Sequence, residues 1–123
     1  MKFHHIGIAT KNLKTSLEFV KNNFDVISVT EDIFDEQQDA ILQMITTKDL
    51  NIELVSGNVV DKMIQSKISY YHICYEVENI DEAIQKFSGA ILVSSPKPAI
   101  LFNNRLVAFL MTPLGLVELL NEH

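Results

Sequence analysis

Two histidines and two glutamates are the residues of this chain whose types and spacing could do chemistry: His5, Glu53, His72 and Glu118. Each glutamate sits inside an apolar run, Ile52-Glu53-Leu54 and Val117-Glu118-Leu119. An unpaired carboxylate buried there would be costly. Strand alternation puts Ile52 and Leu54 on one face and Glu53 on the other, facing either solvent or a polar cleft. Taken singly, each glutamate reads as a water-facing strand residue, and each histidine as a surface or hydrogen-bonded core residue. Taken together, two imidazoles and two carboxylates form a donor set suited to Zn, Ni, Co, Mn or Fe, with positions left open for water or substrate. No thiolate belongs to the set. His4 should point away from His5 and is not assigned as a ligand, nor is the terminal His123.

An internal repeat favours the joint reading. His5-Ile-Gly-Ile-Ala-Thr-Lys-Asn12 aligns without a gap on His72-Ile-Cys-Tyr-Glu-Val-Glu-Asn79, at an offset of 67. Leu13 and Leu17 fall on Ile80 and Ile84. Asn51-Ile-Glu53-Leu-Val aligns on Leu116-Val-Glu118-Leu-Leu at an offset of 65, a slip that one loop absorbs. The histidine and the glutamate recur while most of their neighbours change.

The elements that must position these residues follow from periodicity. Lys2 to Ala9 alternates as a strand. Asn12 to Phe24 is a helix, with Leu13, Leu17, Val20 and Phe24 at helical spacing and Asn12 as its cap. Val26 to Glu31, Ala40 to Thr46 and Asn51 to Val55 read as three further strands, closed by Ser56-Gly57-Asn58. The second half starts over, with a helix capped near Asn79. The predicted fold is therefore α+β: two tandem βαβββ modules, about 1–57 and 69–123, forming a curved mixed sheet around a shared metal cleft. Residues 58–68 would be a linker, partly helical through Val59, Met63 and Ile64. Phe19, Phe24, Phe87 and Phe109 are expected in the core, and Tyr70, Tyr71 and Tyr75 in core or rim. Met44 and Met111 lie in strands.

Composition excludes several classes of function. The 123 residues suit one domain of ordinary size, and 47% hydrophobic content with 21% charge is not that of a disordered chain. Ten Lys and Arg against 16 Asp and Glu, a net charge of -6, give no basic face for nucleic acid. One cysteine, Cys74, excludes an intramolecular disulfide and a cysteine-built zinc site, and it reads as a small core residue. The polar N-terminus has no signal-peptide core, and no apolar run approaches the about 20 residues of a membrane span. A cytoplasmic protein without nucleic-acid or membrane partners is expected.

The sequence resembles the vicinal oxygen chelate superfamily, and within it the glyoxalase I and methylmalonyl-CoA epimerase group. The segments that carry the resemblance span the chain: His5-Ile-Gly-Ile-Ala-Thr with Asn12-Leu13, Ile52-Glu53-Leu54, Tyr71-His72-Ile-Cys-Tyr-Glu-Val-Glu-Asn79-Ile80, and Gly115-Leu-Val-Glu118-Leu119. The resemblance implies paired βαβββ modules, with His5, Glu53, His72 and Glu118 as ligands of one divalent ion: Ni, Co or Zn, with Mn as a further choice. It also implies a lactoylglutathione lyase-like or methylmalonyl-CoA epimerase-like metalloenzyme, commonly dimeric. Such an enzyme moves a proton on a small thiol conjugate, such as a methylglyoxal hemithioacetal, or on a thioester. Glu118 is the first candidate base, with Glu53 able to act on the opposite face of the substrate. Epimerases usually carry a glycine-rich run where this chain has Phe102-Asn103-Asn104, which places glyoxalase-type isomerisation first and epimerisation second. Arg105, the only arginine, is the expected contact for a substrate anion, with Lys97 as a helper. The reading from another class is a metal-free module that sequesters a small molecule or antibiotic.

Overall fold

The computed structural model describes residues 1–123, which divide into two compact units, His5–Tyr71 and His72–His123 with Met1–His4. The first unit contains most of β1 (Lys2–Ala9), then α1 (Leu13–Asn23), β2 (Val26–Val29), β3 (Ile33–Asp35), β4 (Ala40–Thr47) and β5 (Asn51–Gly57). Its strands run in the order β2-β4-β5-β1, with β1 and β5 parallel and the other pairs antiparallel. A 3-10 turn (Asn58–Val60) and the short α2 (Asp61–Gln65) follow. The second unit contains β6 (Tyr70–Val77), α3 (Ile80–Lys86), β7 (Ile91–Ala99), β8 (Arg105–Thr112) and β9 (Gly115–Asn121), with strand order β6-β9-β8-β7. Here β6 and β9 are the parallel pair. The fold class is α+β, with the βαβββ order in both halves. No helix is long and apolar enough to cross a membrane.

Local chemistry accounts for the element boundaries. The Asn12 side chain accepts from the Thr15 N–H at 3.1 Å, and the Asn79 side chain from the Glu82 N–H at 3.1 Å. Each cap satisfies one of the donors that a helix start leaves open. The helices then cover one face of each sheet. In the first unit Val20, Ile45, Ile52 and Leu54 form the buried cluster, with Leu13 and Leu17 packed against it. In the second, Ile80, Ala108, Leu110, Val117 and Leu119 do the same, with Ile84 and Phe87 alongside. Leu54 is 1% exposed, so Leu54→Ala should cost about 2–5 kcal/mol in a urea unfolding experiment. A cost below about 1 kcal/mol would mean that this cluster does not hold α1 on its sheet.

Three expectations are corrected. Where one strand was expected, β2 and β3 both pair with β4, at opposite ends: Val29 with Ile45, Ile33 with Leu42. Together they occupy the place that β7 fills beside β8, and three residues of β3 are too few to show an alternation. Phe19 and Phe24 are not core residues but 61% and 41% exposed. Phe19 lies about 100° around α1 from the buried Val20, and Phe24 stands beyond the last turn, its N–H donating to the Val20 carbonyl at 2.9 Å. Tyr70 is exposed too, whereas Phe109 is buried as expected.

Candidate metal centre

The strand ladders place the histidines and glutamates with one register in both units. In the first, Gly7, two residues after His5, pairs with Glu53 across the parallel β1/β5 ladder, and Met44 pairs with Glu53 on its other side. In the second, Cys74, two residues after His72, pairs with Glu118 across β6/β9, and Phe109 pairs with Glu118 on its other side. The repeat seen in sequence is thus a repeat of backbone hydrogen bonding. Alternation brings His5 and Glu53 to the sheet face away from α1, and His72 and Glu118 to the face away from α3.

Within each unit the histidine and glutamate meet. His5 Nε2 stands 3.7 Å from Glu53 Oε1, and His72 Nε2 stands 3.2 Å from Glu118 Oε1. All four residues are at most 2% exposed. The Phe109 ring lies edge-on to the His72 imidazole, with centroids 5.5 Å apart at 81°, and limits how that imidazole can turn. Sequence reasoning placed Phe109 only in the core, although its pairing opposite Glu118 repeats that of Met44 opposite Glu53.

The donor chemistry fits a divalent ion of the borderline class. Two donors bound to one ion at about 2.1 Å stand about 3.0–3.6 Å apart for bond angles of roughly 90–120°. The second pair already has that separation, and the first needs only a small closure. Neutral imidazole and carboxylate donors match Zn, Ni, Co or Mn better than a soft ion such as Cu(I).

Arg105 lies elsewhere on its unit, in a network of its own. One terminal guanidinium nitrogen donates to the Glu76 carboxylate, and Nε donates to the Asn121 carbonyl at 2.8 Å. The Asn121 side chain in turn accepts from the Ile80 N–H at 2.9 Å, at the start of α3. The guanidinium therefore ties β8, β6, β9 and α3 together. The hydrogen bond from Arg105 holds the Glu76 carboxyl below its ordinary range; burial opposes this, and the charges of Arg105, His4 and Lys2 add to it. A group whose folded pKa is depressed contributes stability above its unfolded pKa and loses it as pH falls through the folded value. Wild type should therefore be more stable than Glu76→Gln at pH 7, and the difference should close in the acid range below about pH 4. Urea unfolding of both proteins across that range is the check, and a gap that persists in acid would show that the charge is not what Arg105 reads. Lys97 is exposed and Cys74 is buried in an apolar cluster with Val107, Phe109 and Leu120.

Comparison with known proteins adds the family. No curated protein matches the sequence. Among solved structures, a hypothetical protein from Bacillus halodurans C-125 is 25% identical with a TM-score of 0.76, covering 99% of this chain and 94% of its own. Methylmalonyl-CoA epimerase from Mycobacterium tuberculosis is 17% identical with a TM-score of 0.82, covering 99% of this chain and 88% of its own, a likeness of fold. The profile of one family matches residues 4–109, most of the chain. With both βαβββ units inside or overlapping that match, the chain belongs to the glyoxalase/bleomycin resistance protein/dioxygenase superfamily.

Proposed function

We propose that the chain is a metal-dependent enzyme of the glyoxalase I type, moving a proton on a small thiol-conjugated 2-oxo substrate such as a methylglyoxal hemithioacetal. His5, Glu53, His72 and Glu118 would together hold one divalent ion, Ni, Co, Zn or Mn, in a homodimer. One observation carries this reading: two buried His–Glu pairs in the same register of two repeats. A solvent-facing role does not suit carboxylates 2% exposed. A pure binding module has no use for two of them inside apolar strands.

A divalent ion there supplies Lewis-acid stabilisation of the oxyanion formed when the carbon beside a carbonyl loses its proton. The chain's residues do the rest. Glu118 takes the proton and returns it to the neighbouring carbon, a general-base role worth about 10²–10⁴-fold. Glu53, equally buried in its own unit, faces the other side of the substrate. Phe109 keeps the His72 ring in one orientation, and the apolar strands exclude water from the proton in transit.

The second reading is epimerisation of a 2-methylmalonyl-CoA-type thioester, favoured by the turn after β7. Asn103 and Asn104 both have positive φ, 54° and 64°. Asparagine tolerates that conformation, so the pair supplies the backbone that a glycine-rich run would supply. Assays in D2O separate the readings. Isomerisation of a hemithioacetal with some solvent deuterium carried into product supports the first, and deuterium at the 2-carbon of a recovered acyl-CoA supports the second. Neither exchange, together with no metal uptake on titration, would leave a metal-free binding module as the better account.

A further inference from the structure

The two units carry the same His–Glu geometry but differ in the side chains that lead up to it. In the second unit, the cross-strand row next to Glu118 on the same face is Leu116 on β9, paired with Met111 on β8, paired in turn with Ile91 on β7. Leu116 is half-buried, Met111 is 47% exposed and Ile91 71%, so the row climbs from the carboxylate to solvent as a continuous apolar shelf. In the first unit, the row in the same place beside Glu53 is Asn51 on β5, Thr46 on β4 and Ser28 on β2. Asn51 and Thr46 are half-buried and Ser28 is exposed, and all three side chains are polar. The repeat has kept the ligand positions and reversed the polarity of the approach.

We infer that Leu116, Met111 and Ile91 form a subsite for an apolar substituent on the substrate carbon, while the Asn51–Thr46–Ser28 row accepts the polar, hydrogen-bonding carrier. The inference rests on the proposed proton-transfer reading and gives it a substrate class: amphipathic conjugates with an aryl or longer alkyl group on the reacting 2-oxo unit. Continuity with Glu118 is what assigns the shelf to substrate. The row begins two residues from that carboxylate on the same face of β9. An unbranched methionine at its centre packs against apolar groups of varied shape. A lone methyl substituent would leave most of the shelf in contact with water.

Calorimetric titration with pyruvate and with phenylglyoxylate, on metal-loaded and on metal-stripped protein, tests this. Both probes carry the same 2-oxo acid and differ in the apolar group. Phenylglyoxylate should bind at least about 10-fold more tightly than pyruvate, the scale on which an apolar pocket discriminates. Met111→Thr, which places at this exposed position the residue type found in the first unit, should erase that ratio while leaving pyruvate affinity unchanged. Leu116→Asn should act in the same direction. A ratio near one, a ratio untouched by Met111→Thr, or no binding of either acid overturns the subsite. Affinity independent of metal counts against the proposed metal centre, while the ratio still judges the shelf. Light scattering on the same samples covers the other occupant. Conversion of a dimer to monomer by Met111→Thr would assign the shelf to a second copy of the chain and overturn the inference.

Discussion

The Glu118→Gln variant is expected to lose about 10²–10⁴-fold in turnover, assayed at saturating metal, while its unfolding midpoint stays close to that of wild type. The amide has nearly the shape of the carboxylate but cannot take a proton from carbon. The strand around it should not move, because β9 is held by backbone pairing to Cys74 on β6 and to Phe109 on β8, whatever side chain stands at 118. Full activity in a folded, metal-loaded variant would remove Glu118 from the proton path and leave Glu53 as the base. Parallel loss in Glu53→Gln would mark a two-base reaction, as epimerisation requires. Loss in Glu118→Gln alone would fit the one-base isomerase.

Removing an imidazole should be nearly as severe, and it reads a different quantity. Elemental analysis of tag-free protein should give about one divalent ion per chain if the two His–Glu pairs share it. His72→Ala should lower metal affinity by more than the about 10–100-fold that follows loss of a partner outside the coordination sphere. The effect on stability provides a check without an activity assay. A ligand present at 1,000 times its dissociation constant stabilises the folded state by about 4 kcal/mol. Wild type should therefore melt several degrees higher with metal than after chelation, and the variant should show almost no such difference. His5→Ala should behave alike, because its unit repeats the geometry. Metal uptake that survives both substitutions would sink the proposed centre.

Much of the architecture is legible because it is written locally. Period-two alternation marks Lys2–Ala9 with the limits it has in the structure, and Asn12 and Asn79 announce both long helices through a side chain acting over three residues. The repeat is legible as well, since it is carried by residue identity: histidine, asparagine and glutamate at matched spacing. What escaped depends on neighbours distant in sequence. β3 exists because β4 offers it an edge at Ala40–Leu42; its own three residues would not hold a strand. The exposure of Phe19 depends on which face of α1 meets the sheet, and composition alone cannot fix that.

For the candidate site, the sequence by itself determined the identity of the four donors and that each module contributes one histidine and one glutamate. Residue types and their repetition suffice for that, because the chemistry of a donor set does not depend on its coordinates. Only the tertiary structure decided that His5 meets Glu53 and that His72 meets Glu118. These partners lie some 46–48 residues apart along the chain, and parallel pairing of β1 with β5 and of β6 with β9 sets their register. The same holds for Arg105, which the sequence offers as a lone cation and the fold joins to Glu76 on another strand. It holds again for the opposed polarity of the two approach rows, since cross-strand neighbours are fixed by ladder register and bulges rather than by order in the chain.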